Sequence, residues 1–252
     1  MPDPSHAELL GVITREELSS SLDADPALIE ARDDGGETLL IAAANLGRLD
    51  LVEELLSRDA NPNAMPPDGE TALTGACYWG RTQIVESLLR AGADPNLRGL
   101  GGESPLRAGL PQRLPKTGNP AKDHKSYSLN RDLFDLLFRY GADGNAGLEP
   151  VLHLAVTRGG LPDDLRYLVE KGCDPSHRAA DGATPLALTA ECRFFPHWLE
   201  QARSLLRAGA DPDGVGPFNR SFVEALYPDE QVMLQCEIVG ARRARVAKLR
   251  GA

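Results

Sequence analysis

The same nine residues, SLLRAGADP, occur at Ser87–Pro95 and again at Ser204–Pro212. A word that long does not recur by chance in a chain of 252 residues, so the fold must use one local structure at least twice. Aligning on it exposes further copies: SRDANPN at 57–63, RAGADPN at 90–96, RYGADGN at 139–145, EKGCDPS at 170–176 and RAGADPD at 207–213. Their last residues step by 33, 49, 31 and 37, which gives a unit of about 33 residues with insertions in two copies.

The second copy shows what one unit encodes. GETALTGACYWG opens on a glycine turn and places Leu73, Ala76 and Cys77 at helical spacing, with small residues where a neighbouring helix would come close. Gly80 ends that helix. In TQIVESLLRAGADPN, Thr82 is the expected N-cap, Ile84, Val85, Leu88 and Leu89 form the apolar stripe, and Gly92 supplies a left-handed stop. The unit is helix, turn, helix and extended loop. Aromatic residues make up only 5% of the chain, so Leu, Ala and Val must build the core, which suits small stacked helices.

This pattern resembles the ankyrin repeat family, whose signature G-x-T-P-L-H-x-A-A, G-H and V-x-x-L-L-x-x-G-A-D is matched in pieces by every copy. GATPLAL at 182–188 and LVEELLSRDANPN at 51–63 are the fullest matches, and the resemblance covers about residues 33–213. It implies an all-α solenoid of five stacked helix-turn-helix units with β-hairpin-like loops, forming a single domain over 1–252. Residues 1–32 would be an N-terminal helical cap, opened by the capping box Thr14-Arg15-Glu16-Glu17. Residues 214–252 would be a C-terminal cap with a short helix around Phe222–Leu226, a longer one from about Asp229, and Phe222, Val232 and Ile238 available for packing. Copies three and four depart from the pattern, at Ser104-Pro105 followed by Pro111 and at Pro150-Val151, and should be less regular.

Charge and cysteine usage narrow the function classes. The net charge is −10, and the final twelve residues hold Arg242, Arg243, Arg245, Lys248 and Arg250 without an acid, so the body is more acidic than the total. Such a surface repels phosphate backbones and anionic membranes and attracts basic partners. Cys77, Cys173, Cys192 and Cys236 are widely spaced with no CxxC, the pattern of reduced thiols rather than of a disulfide framework or zinc site. With no basic N-terminal start and no run of 18 apolar residues, the expectation is a cytoplasmic protein, monomeric when free.

Catalytic and ligand motifs find no support in the spacing. RGLGGES at 98–104 has the glycines of a phosphate loop but neither the following GK[ST] nor a preceding apolar strand, and it reads as the hairpin of copy three. The histidines at 6, 124, 153, 177 and 197 lack metal spacing, and His153 occupies the position where the family's histidine makes turn hydrogen bonds. No nucleophile, base and acid converge in the pattern, so the expectation is a non-enzyme without cofactor or metal.

In the ankyrin family, partners bind the concave face made by hairpin tips and first helices, and the resemblance directs attention to those positions. The residue before the Thr-Pro position is Glu37, Glu70, Glu103 and Glu149 in four successive copies and Ala183 in the fifth. Asp34, Asp68 and Asp181 add to this edge. It is either a solvated acidic rim or a track that steers a basic partner. The two residues before the helix-ending glycine are Asn45-Leu46, Tyr78-Trp79, Thr157-Arg158 and Glu191-Cys192. Tyr78 and Trp79 either fold back on the next unit or act as anchors of the kind whose truncation costs about 2 kcal/mol or more. CRFFPHW at 192–198 gathers Phe194, Phe195 and Trp198 as a second contact or a local mini-core. The insertion at 111–127 carries Arg113, Lys116, Lys122 and Lys125 against Asp123, as a contacting arm or a tolerated loop.

These features point to a module that binds another protein, one with a basic surface. The concrete form is an inhibitor or immunity protein that neutralises a basic toxin or enzyme; the alternative is a non-inhibitory adaptor or scaffold.

Overall fold

The computed structural model describes residues 6–111, 128–147, 149–193, 197–214 and 220–250. The basic segment 112–127 and the aromatic pair Phe194 and Phe195 lie outside the described residues. Two compact units are present, one made of 6–109 with Asn130–Ala142 and the other of the remaining described residues. Every regular element is helical, and among the described residues pairing of the β type is confined to one bridge between Arg32 and Thr38.

In the first unit, α1 (His6–Leu10) and α2 (Arg15–Ala24) precede three helix pairs: α3 (Leu39–Leu46) with α4 (Leu49–Ser57), α5 (Ala72–Tyr78) with α6 (Thr82–Arg90), and α7 (Pro105–Ala108) with α8 (Arg131–Arg139). The inner helices are buried almost throughout, Leu39–Ala44 in α3 and Ala72–Cys77 in α5. Each of these is sandwiched, α3 against α1, α4 and α5, and α5 against α3, α6 and α7. That is why they are rich in alanine and glycine: a helix touched on all sides needs small side chains if its neighbours are to approach. The outer helices bury one stripe, Ile84, Val85, Leu88 and Leu89 in α6. Each such leucine, removed from water, contributes about 1.5–3 kcal/mol.

The second unit contains α9 (Val151–Thr157), α10 (Pro162–Glu170), α11 (Pro185–Glu191), α12 (Trp198–Arg207), α13 (Phe222–Ala225) and the long α14 (Pro228–Arg250). Here α11 packs on α9, α12 and α13, and α12 packs on α10 and α14. His153 is buried with Nε2 2.9 Å from the Ala183 carbonyl oxygen, the turn contact that its position in the repeat implies.

Hydroxyl caps start the inner helices. Thr71 accepts from Thr74 N at 3.2 Å, Ser104 from Arg107 N at 3.3 Å and Thr184 from Ala187 N at 3.3 Å. Before α2, Thr14 accepts from Glu17 N at 3.2 Å while Glu17 accepts from Thr14 N at 2.8 Å, a reciprocal capping box.

Two expectations need correction. Thr82 is the first residue of α6 and not its cap; Arg81 holds the cap position without a side-chain bond, and the Thr82 hydroxyl accepts instead from Asn130 Nδ2 at 3.2 Å. Val232 is 71% exposed, and α14 packs through Leu234, Ile238 and Ala241, residues one and two turns apart on a different face. Copy four departs from the pattern where Pro150 stands at the cap, since it carries no hydroxyl and α9 has no side-chain cap, although its seven residues equal those of α5. Copy three is irregular as expected, since α7 has four residues.

Within each compact unit, one contact recurs between neighbouring repeats. Asn63 donates from Nδ2 to the Gly92 carbonyl at 3.0 Å and accepts at Oδ1 from Asp94 N at 2.7 Å. Asn145 repeats this against Gly172 and Asp174 at 3.1 and 2.7 Å, and Asn96 donates to Gly141 at 2.9 Å. Ser176 takes the place of asparagine before Asp211 N, at 3.0 Å. The last residue of each repeated word therefore grips the loop of the next copy. Asn63→Ala and Asn145→Ala each remove a donor and an acceptor and should lower stability by about 1–2 kcal/mol, with Asn63→Asp giving a partial loss. Urea unfolding of the full chain checks this.

All four cysteines are free. Cys77, Cys173 and Cys192 are buried, and burial pushes the Cys77 thiol far up and that of Cys173 up to about 12. Cys236 is exposed on α14. A thiol reagent at pH 8 should therefore modify Cys236 quickly and the other three only after denaturation, and Cys236→Ser should abolish the fast phase.

Candidate functional site: an acidic and aromatic groove

The first unit holds a groove of about 730 Å³ between the hairpin tips and the ends of α3 and α5. Its walls carry Glu37, Asp68, Glu70 and Glu103 on the tips, and Asn45, Leu46, Tyr78 and Trp79 from the helices. Leu100 and Gly99 close the side formed by copy three.

Backbone geometry places the carboxylates. Asp33 Oδ1 accepts from Gly35 N and Glu37 N, both at 3.0 Å, and Asp68 Oδ1 accepts from Glu70 N at 3.1 Å. These aspartate turns hold the tip so that the glutamate one residue before the capping threonine leaves it at the same point in each copy. Successive tips approach closely: a side chain at Gly69, where φ is +81°, would run into the backbone of Gly99 and Leu100. Glycine at that position lets two hairpins touch main chain to main chain.

A second glycine shapes the floor. A methyl group at Gly75 in α5 would collide with the Asn45 amide oxygen and come within 3.0 Å of Glu70 Oε1. The Asn45 amide and the Glu70 carboxylate thus meet over Gly75, and the three residues form one contact between copies one and two. Tyr78 and Trp79 follow Gly75 by three and four residues, the spacing that places side chains on the adjoining turn of the same face. They are 50% and 58% exposed, and their rings meet edge to face with centroids 5.2 Å apart. The two rings pack on one another and stay open to solvent instead of folding back into the stack.

The carboxylates repel. Glu37 is pushed above the ordinary glutamate range first by partial burial and then by the charges of Asp33, Glu70 and Asp68. Glu70, though exposed over much of its surface, has its carboxylate against the groove floor; this loss of water raises it first, Asp68 adds to the effect, and the bond from Asn45 opposes it. Glu103 differs, because Arg107 one turn along binds it at 2.7 Å. None of the described ion pairs involves Glu37, Asp68 or Glu70.

The other expected residues are placed as follows. Asp34 is exposed at its tip in the first unit. Glu149 is exposed and Arg158 half-buried, both in the second unit, where Arg158 borders a crevice with Leu129, Ala155 and Asp164. Trp198 is half-buried, with the Arg193 guanidinium 5.7 Å from its ring centroid and 4.9 Å from that of Tyr227. Arg193, just after α11, also binds Glu230 at 3.1 Å and the Ala225 carbonyl, so Trp198 takes part in a local cluster joining α12, α13 and α14. Sequence reading did not find Asn45 as the partner of Glu70, nor Gly75 and Gly69 as the positions that let copies close up. Among the described residues no group of three His, Cys, Asp or Glu side chains could hold a metal ion, and no helix is long and apolar enough to cross a membrane.

Comparison with known proteins agrees with this architecture. Residues 16–99 match the family model for ankyrin repeats in three copies. No curated protein matches the chain significantly in sequence. Among solved structures, the ankyrin repeat domain of Bcl-3, described as a unique member of the IkappaB protein family, superposes with a TM-score of 0.71 at 18% identity, over 87% of this chain and 90% of that one. An ankyrin repeat domain from Acinetobacter baumannii gives 0.64 at 21%, over 80% and 96%. A chain from a complex of a predatory endopeptidase of Bdellovibrio bacteriovorus with an immunity protein gives 0.64 at 21%, over 82% and 99%. The fold is the all-α ankyrin-repeat fold, a scaffold that typically binds proteins and does no chemistry.

Repulsion at Glu37 and Glu70 has a measurable sign. Their folded-state values lie above the ordinary 4.5, so the folded chain holds more protons than the unfolded one in the window just above that value. Stability is then lost as pH rises through the window. Glu37→Gln and Glu70→Gln should therefore raise the melting temperature at pH 7, with a gain that disappears below about pH 4, where both carboxyls are protonated in either state. Thermal melts across pH 3.5–7.5, a range of roughly this ordinary titration window, check it.

Proposed function

We propose that this chain is a protein-binding module whose recognition surface is the groove of the first unit, and that it acts as an inhibitor of the immunity type on a partner with a basic surface. One observation carries the reading: Tyr78 and Trp79 stand open to solvent at the rim of a groove in which Glu37, Asp68 and Glu70 crowd together and belong to none of the described ion pairs. An exposed aromatic pair is costly to keep in water and is the usual anchor of a protein interface. The carboxylates lose stability for the free protein and regain it when a basic surface neutralises them. A chain of similar fold comes from a complex of a predatory endopeptidase with an immunity protein, which supports the immunity-type reading by analogy of fold.

The test is affinity capture with the wild-type chain beside a Tyr78→Ala, Trp79→Ala variant whose folding is verified by circular dichroism. A stoichiometric basic partner should be held by wild type and weakened about 30-fold or more by the variant. The activity of that partner should then fall when wild-type chain is added. A partner lost by the variant but unaffected in activity would make the chain an adaptor. A partner held equally by both would remove the groove from consideration.

A further inference from the structure

The groove has a chemical bias that a generally acidic face does not require. Its described lining contains no lysine or arginine. Of its hydrogen-bonding groups, the Thr74 hydroxyl donates to the Thr71 carbonyl at 2.9 Å, and the buried amide oxygen of Asn45 is an acceptor without a partner. What remains on offer is acceptors, the carboxylates of Glu37, Asp68 and Glu70, beside two aromatic rings. Glu103 is already neutralised by Arg107, so the unbalanced charge lies at copies one and two, next to the rings.

From this juxtaposition, and resting on the protein-binding reading above, we infer that the groove receives an arginine side chain of the partner, its guanidinium lying against the Tyr78 and Trp79 rings and hydrogen-bonded by Glu70 and Glu37. The geometry selects arginine over lysine. A guanidinium is planar, carries five donors and no acceptor, and can stack on a ring while its edge meets carboxylates. An ammonium is a compact, strongly hydrated charge that engages one or the other well. Both rings line the groove and are half exposed, so they offer flat aromatic surface on which a planar group can stack. On the floor, Gly75 leaves the space that the Asn45 amide and the Glu70 carboxylate enter, one helical turn from Tyr78.

The experiment uses the full chain and three short capped Gly/Ser peptides that differ only at the central residue: arginine, lysine or citrulline, the neutral isostere of arginine. Binding is followed through the indole N–H resonance of Trp79, separated from that of Trp198 with a Trp198→Phe variant. The arginine peptide should move the Trp79 signal saturably, the lysine peptide should bind about fivefold more weakly, and the citrulline peptide should give no saturable shift. Glu37→Gln with Glu70→Gln should weaken the arginine peptide about tenfold or more while leaving the Trp79 resonance of the free protein in place, which shows that the groove is still formed.

Equal shifts from arginine and citrulline, undiminished binding by the Gln variant, or no shift of Trp79 at roughly 10 mM arginine peptide would each overturn the inference. The captured partner separates the two levels. If it is lost by the aromatic variant yet survives competition by the arginine peptide, the groove binds protein and the arginine assignment is wrong. If the aromatic variant retains it, the groove reading fails and the arginine assignment fails with it.

Discussion

Each helix pair in this protein buries only part of its surface by itself, so it is stable only with a neighbour on the correct side and in the correct register. Asn63 and Asn145 supply that register. Each side chain reaches about one repeat forward, giving its amide hydrogen to a glycine carbonyl and its oxygen to an aspartate amide two residues later. The glycine must be there because the chain leaves the outer helix with φ of +89° at Gly92 and +99° at Gly172. The repeated word is thus half of a joint whose other half lies in the next copy, and this explains why SLLRAGADP is kept almost letter for letter while helix surfaces diverge.

Where the first copy has nothing repeated before it, a different chemistry meets the same need. Glu30 accepts from Asn61 N at 2.7 Å, the place where an earlier copy's asparagine would otherwise sit. Arg58 joins Asp23 and Glu54 at 2.7 and 2.8 Å, and Arg15 joins Glu54 at 3.0 Å, fastening α2 to α4. Held from both chemistries, Glu54 sits below the ordinary range, by its bonds to Arg58 and then Arg15. In the second unit, Arg242 binds Asp213 at 3.1 Å and Arg245 pairs with Asp211, so part of the basic tail is spent on the loop of the last copy. That tail is less a free cationic arm than its composition suggests.

The groove shows the opposite economy. Tight aspartate turns fix Glu37 and Glu70 beside other acids, and the positions nearby that could hold a cation hold Asn45, Gly75, Tyr78 and Trp79 instead. Arg107 demonstrates that the fold can neutralise a tip glutamate with one residue four positions later, as it does for Glu103. At the equivalent positions four residues after Glu37 and Glu70 stand Ile41 and Thr74. Local repulsion of this kind, beside an exposed aromatic pair, is what a surface waiting for a cationic partner looks like.

The repeat period, the helix-turn-helix unit, the glycine stops and the Thr14 capping box were all determined by the sequence alone, because each depends on residues within one turn or one period. The pair Tyr78-Trp79 and the glutamates of the tips were legible for the same reason. Other features were decided only in three dimensions. Thr82 looked like a cap, but its hydroxyl is claimed by Asn130, a residue 48 positions away. Val232 looked like core, yet the face of α14 that meets α12 is chosen by the direction in which the helix leaves Pro228, and that choice buries Leu234. The approach of Asn45 to Glu70 over Gly75 joins two copies whose residues carry no mutual signal along the chain. Sequence encodes what a unit prefers to be; which of its surfaces touch, and therefore which charges are left unanswered, is settled only when one unit is stacked on the next.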